Sequence, residues 1–111
     1  MKNRITKYLK LLDEERFYDA HEVLEEYWYP KRFEECDEVK LVKGLINAAV
    51  SFELVKKGRL QASKKVWRNY LKYRSLLYKV VSKDYNEYHR AVRAVDARKM
   101  RYELEKPHSC Q

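Results

Sequence analysis

Two glycines, two prolines and two cysteines are all that this chain of 111 residues has of the residues that turn, break or staple a backbone. So few turn formers speak against a sheet with many corners, and the abundance of Lys, Glu, Leu, Ala and Tyr describes long helices joined by short turns. Cys36 and Cys110 lie far apart with no C-x-x-C spacing, which argues against a zinc knuckle or a redox pair and leaves two free thiols. Apolar runs are missing too: none approaches the roughly 18 residues needed to span a bilayer, and the basic start, Met1-Lys2-Asn3-Arg4, leads into no signal-peptide core. The expectation is a cytoplasmic protein with no membrane partner. It should fold as one all-α domain over residues 1–111, a compact bundle of about five helices with a flexible tail from about residue 106.

What the chain does have is charge. Its formal net charge is +8. Residues 1–58 carry 11 Lys+Arg against 12 Asp+Glu, a net −1, whereas residues 59–111 carry 14 against 5, a net +9. The basicity belongs to the C-terminal half.

Apolar periodicity divides the chain into helices. Ile5, Tyr8, Leu9 and Leu12 recur at i, i+3, i+4 and i+7, predicting a first helix over about residues 3–13. A second runs over 17–28 and stops before Pro30, which disfavours helical angles at the preceding residue and supplies no amide donor. The third, about 38–57, is apolar around most of its circumference and should lie at the centre of the bundle, with Gly58 as a left-handed C-terminal cap. A fourth, about 60–81, has an inward face that includes Ser63, Trp67, Tyr70, Leu71 and Tyr78. Its outward stripe is Lys65, Arg68, Lys72 and Lys79. Ser82 or Asp84 caps a fifth helix patterned by Tyr85, Tyr88, Val92, Val95 and Tyr102.

Three helical positions break the apolar pattern. On the second helix, Phe17, Ala20, Leu24, Tyr27 and Trp28 form one stripe with His21 inside it and Glu25 at its edge. A titratable ring and a carboxylate four residues apart are neighbours directed towards the interior, where unpaired charge is costly. In the third helix Gly44 gives up about 1 kcal/mol relative to Ala, which a close helix crossing would offset. Glu53 shares the wheel angle of Ile46, Ala49 and Val50 and must be neutral, paired or bound. Lys43, or Arg74 on the inward side of the fourth helix, is a natural partner for these acids.

The pattern H-x-x-x-E-x-x-W carried by His21, Glu25 and Trp28, followed by Gly44, resembles the domain of unknown function 309 family of bacteria and archaea. The likeness covers residues 16–77, and the stretch Phe-Tyr-Asp-Ala-His-Glu-Val-Leu-Glu is its most specific part. The resemblance implies a compact all-helical domain and no settled activity. This chain departs from the usual pattern in having Lys43 where glutamine is common and Glu53 where histidine is common.

Three functional readings follow. The first makes His21, Glu25 and Glu53, with Trp28, Lys43, Gly44 and Arg74 around them, either a satisfied polar cluster or a site for a divalent metal or small molecule; buried polar groups are far more often paired than liganded. The second makes the stripe of Lys65, Arg68, Lys72 and Lys79 a surface for nucleic acid or another anionic partner. The third is a homo-oligomer that buries surplus aromatic surface. Nothing marks an enzyme: there is no serine nucleophile elbow and no Gly-rich phosphate loop, and Glu25 occupies the second ligand position of what would otherwise be a zinc-protease H-E-x-x-H.

Overall fold

A computed structural model describes residues 1–105, and the expected tail from residue 106 and Cys110 lie outside it. The chain forms α1 (Lys2–Asp13), α2 (Phe17–Trp28), α3 (Asp37–Lys56), α4 (Leu60–Arg74) and α5 (Tyr85–Glu105), with short 3-10 turns at Tyr29–Lys31 and Ser75–Tyr78. No strand occurs among the described residues, and no helix there is long and apolar enough to cross a membrane. The all-α bundle of five helices is as expected.

α3 is the axis. Ten of its residues are buried, and it packs most closely on α4 and next on α2, which scarcely touch each other. A helix apolar on nearly every side has no solvent face to offer and must be surrounded. α1 covers the α2 side and clamps onto the axis where the buried Tyr8 hydroxyl donates to the Leu45 carbonyl at 2.7 Å. α5 closes the α4 side, and Phe52 meets Phe17 of α2, Trp67 of α4 and Tyr102 of α5 with ring centroids 5.5–5.9 Å apart. These aromatics are packing residues.

Small side chains set the α3–α4 distance. A Cβ placed on Gly44 would lie 2.9 Å from the Cβ of Tyr73. Seven residues on, two full turns of helix, the buried Ser51 and Ser63 exchange hydrogen bonds across the same interface: Ser63 Oγ donates to the Ser51 carbonyl at 2.9 Å, and the two hydroxyls lie 2.9 Å apart. Gly58 does a different job. Its φ of +75° forms the left-handed cap, with Arg59 N–H donating to the Leu54 carbonyl and Gly58 N–H to the Val55 carbonyl. α1 ends in the same double bond pattern, but with Glu15 at φ +58°, a conformation that L side chains adopt only at some energetic expense.

α4 is shorter than its apolar pattern implies. It stops at Arg74, the chain tightens into the 3-10 turn, and residues 79–84 follow without helix. Lys79 therefore leaves the stripe of Lys65, Arg68 and Lys72, and Leu71 and Tyr78, expected inside, are 49% and 73% exposed. The turn at Ser75 moves Tyr78 off the face that the uninterrupted period assigns, while Leu77 stays buried; Leu71 lies ahead of the turn, at the outer edge of α4 itself.

Gly44→Ala tests the close crossing. Alanine favours the helix by about 1 kcal/mol, but the clash with Tyr73 forces α4 outward at about 1 to 3 kcal/mol. A lowered melting temperature is expected, and a raised one in thermal unfolding would mean that the crossing is loose.

Candidate functional site

On α2, the turn that carries Tyr18, His21 and Glu25 places both nitrogens of the imidazole opposite oxygens. His21 Nε2 lies 3.0 Å from Glu25 Oε2, and Nδ1 lies 3.3 Å from the Tyr18 carbonyl. The ring is mostly covered, with its side chain 16% exposed, but Glu25 is 42% exposed. The pair is real and sits at the edge of the interior. A helical i, i+4 pair of this kind is worth a few tenths of a kcal/mol.

Glu53 does not complete a triad with them. It lies nine residues, about two and a half turns, beyond Gly44, near the C-terminus of α3, and its Oε2 faces Lys57, the residue that follows the helix, at 3.5 Å. Among the described residues no three His, Cys, Asp or Glu side chains converge in a way that would hold a metal ion. The set His21, Glu25 and Glu53 thus reduces to a two-donor pair, short of the four ligands of a structural zinc site.

Neither proposed cation neutralises these acids. Lys43 projects between α2 and α4, its Nζ 5.4 Å from the centroid of Trp28 and 5.9 Å from that of Tyr73, with no ion pair among the described residues. Stacked between two rings beside Gly44, it ties three helices together by its stem and by cation–π attraction. Arg74 belongs elsewhere. Its Nε and Nη2 donate to Asp96 Oδ2 on α5, while Tyr70 donates to Asp96 Oδ1 at 2.8 Å. The hydrogen bond to Asp96 pushes Arg74 further up from its already high range, so the guanidinium is permanently charged.

Asp96 and Glu38 are half-buried acids that the helical pattern does not single out. Glu38, in the first turn of α3, accepts from Tyr88 at 2.5 Å and from Ser82 at 3.2 Å, and the Ser82 hydroxyl in turn accepts from Asp84 N–H, which orders the approach to α5. Burial, reinforced by these carboxylates, pushes the Tyr70 and Tyr88 hydroxyls far up, and burial alone does so for Tyr8, so all three are neutral donors. The available signal was adjacency: Asp96 follows Val95 directly and lies four residues from Val92, on the flank of the apolar stripe.

The outward side of α4 is chemically uniform. The helix contains no acidic residue, and Lys64, Lys65, Arg68 and Lys72 are exposed along it. None of the four is within ion-pair distance of a carboxylate among the described residues, in contrast to Arg4, Arg16 and Lys40 of the N-terminal half, each paired at 2.9–3.1 Å. Lys79 is exposed in the segment beyond.

Residues 5–66, more than half of the chain, match the family described as domain of unknown function 309. The match takes in most of α1, all of α2 and α3 and the first half-dozen or so residues of α4, and with them His21, Glu25, Trp28, Lys43, Gly44 and Glu53. No curated protein and no solved structure matches the chain.

The two polar clusters differ in what their loss does. Asp96→Ala leaves a buried tyrosine hydroxyl and a half-buried guanidinium without their acceptor, costing about 2 to 4 kcal/mol, whereas His21→Ala removes a pair within one helix and costs under about 1 kcal/mol. Urea unfolding of both variants checks the order, and a greater loss for His21→Ala would place the main polar clasp at α2.

Proposed function

The chain belongs to the domain of unknown function 309 family, and from that premise we propose that it is a binding module rather than a catalyst, with α1 to α3 as scaffold and α4 as the contact surface for nucleic acid. The observation that carries this reading is the acid-free outer face of α4, where Lys64, Lys65, Arg68 and Lys72 stand exposed with no carboxylate opposite them among the described residues. Phosphates along a strand would supply those counter-charges at regular spacing. Tyr78, in the turn that follows α4, is exposed, and a tyrosine face can stack on an unpaired base.

In the same proposal, His21, Glu25, Trp28, Lys43 and Gly44 have an architectural role: Trp28, Lys43 and Gly44 fasten α2 and α4 to the axis, and the His21–Glu25 pair braces α2 internally, so that the basic face is presented on a rigid rod. Two donors and a lysine between aromatic rings support that role better than a ligand or metal role.

Changing Lys64, Lys65, Arg68 and Lys72 together to Gln tests the surface. Fluorescence anisotropy with single- and double-stranded oligonucleotides should show weaker binding by the variant, and a log-log salt slope flatter by about 0.7 to 0.9 for each phosphate that is no longer neutralised, with the melting temperature little changed. Wild-type affinity at physiological salt no tighter than about 10⁻⁴ to 10⁻⁶ M, or an unchanged slope, would rule the surface out.

A further inference from the structure

A second charged feature lies at the other side of the bundle, between the C-terminal end of α1 and the middle of α5. These helices run in the same direction, with Thr6 against Arg90 and Asp13 against Arg98. Arg98 is the one cationic side chain among the described residues that is nine-tenths buried, at 6% exposure. Its guanidinium carbon lies 5.6 Å from the ring centroid of Phe17 and 5.9 Å from that of Tyr102. The rings attract the charge but leave its in-plane donors unused.

Those donors are poorly served. Of the five N–H groups of a guanidinium, one reaches an acceptor among the described residues: Nη1 donates to the Tyr102 hydroxyl at 3.3 Å. The nearest carboxylate, Asp13, is 3.6 Å from Nη2, beyond hydrogen-bond reach, and its side chain is 84% exposed. No fully buried polar side-chain atom among the described residues lacks a partner, so the idle donors of Arg98 are those that open onto the space around it.

Two adjoining lobes meet there. One, of about 400 Å³, is walled by Asp13, Glu15, Arg98, Arg101 and Tyr102. The other, of about 300 Å³, shares Asp13 and the two arginines and adds the apolar side chains of Leu9, Leu12, Ala94 and Ala97. Each is at the lower end of the size range of small-molecule sites. The first lobe has both signs of charge. Asp13 and Glu15 repel a simple anion, above all a dianionic phosphate, and the arginines repel a simple cation. A molecule with a carboxylate and an ammonium a few bonds apart meets both, and the planar carboxylate fits the guanidinium fork. Glu15, with its positive φ, is held at this wall by the C-terminal turn of α1 and by Lys56, which donates to its carbonyl at 3.0 Å.

We propose that this cleft binds a free α-amino acid with an aliphatic side chain. Its carboxylate lies on Arg98 and Arg101, its ammonium faces Asp13 and Glu15, and its side chain enters the lobe of Leu9, Leu12, Ala94 and Ala97. The site is separate from the basic face of α4 and stands or falls without it.

Calorimetric titration of the full chain with L-leucine, 4-methylpentanoate, 3-methylbutylamine and sodium phosphate tests this. Leucine should bind saturably, and each of the two half-molecules and phosphate should bind at least about tenfold more weakly. Because replacing the buried Arg98 can unfold the chain, the variants are Asp13→Asn and Arg101→Gln, both at exposed positions. Arg101→Gln should weaken leucine. Asp13→Asn should weaken leucine while strengthening 4-methylpentanoate, an opposite response that a purely structural role for Asp13 does not produce. Leucine binding weaker than about 1 mM, equal or tighter binding of phosphate or of either half-molecule, or indifference to both substitutions overturns the proposal.

Discussion

Because α3 is apolar on almost every side, no arrangement of the other four helices that leaves one of its faces in water is stable. Burying its α4-facing side requires α4 to come closer than ordinary side chains allow, and Gly44 with the Ser51–Ser63 exchange makes the approach possible. Tyr8 from α1 and Tyr88 from α5 then attach to the axis through single hydroxyl bonds, to the Leu45 carbonyl and to Glu38. The polar groups in this interior are not incidental to packing. Each fixes where along α3 a neighbouring helix sits, which apolar contact by itself leaves free to slide.

Much of this was legible in the sequence, because helical period and the scarcity of turn formers act locally. Gly58 as a cap, Gly44 as a crossing point and α3 as the centre all follow from single positions within a regular pattern. The polar partnerships did not follow, for a physical reason: a wheel angle tells which way a side chain leaves its helix but not which residue waits on the next one. Glu53 and Arg74 were natural partners by angle, yet antiparallel packing of α4 on α3 puts Arg74 beside the N-terminal half of α3 and Glu53 near its C-terminus. Asp96 and Lys57 take those places. The 3-10 turn at Ser75–Tyr78 was hidden in the same way, since the apolar period runs through it unbroken in sequence while the backbone changes its residues per turn.

Charge is sorted by helix. α2 carries Asp19, Glu22, Glu25 and Glu26, largely met by Arg4, Arg16 and His21, and α4 carries cations alone. With α3 between them, the two helices give the molecule one internally balanced flank and one unbalanced flank. A stable protein needs no such asymmetry, and the self-repulsion along α4 lowers stability slightly. That makes α4 the natural place to look for a partner, while the family match, centred on α1 to α3, describes the frame that holds it.

The central claim is that α3 is the axis whose burial on most of its sides holds the other helices in place. Native-state amide hydrogen exchange followed residue by residue tests it most directly. The amides of residues 41–52 should exchange only through global unfolding, with the slowest rates in the chain, while α1 and α5 open at lower free energy. Exchange of those α3 amides through a smaller opening, faster than the centres of α1 and α5, would contradict the account.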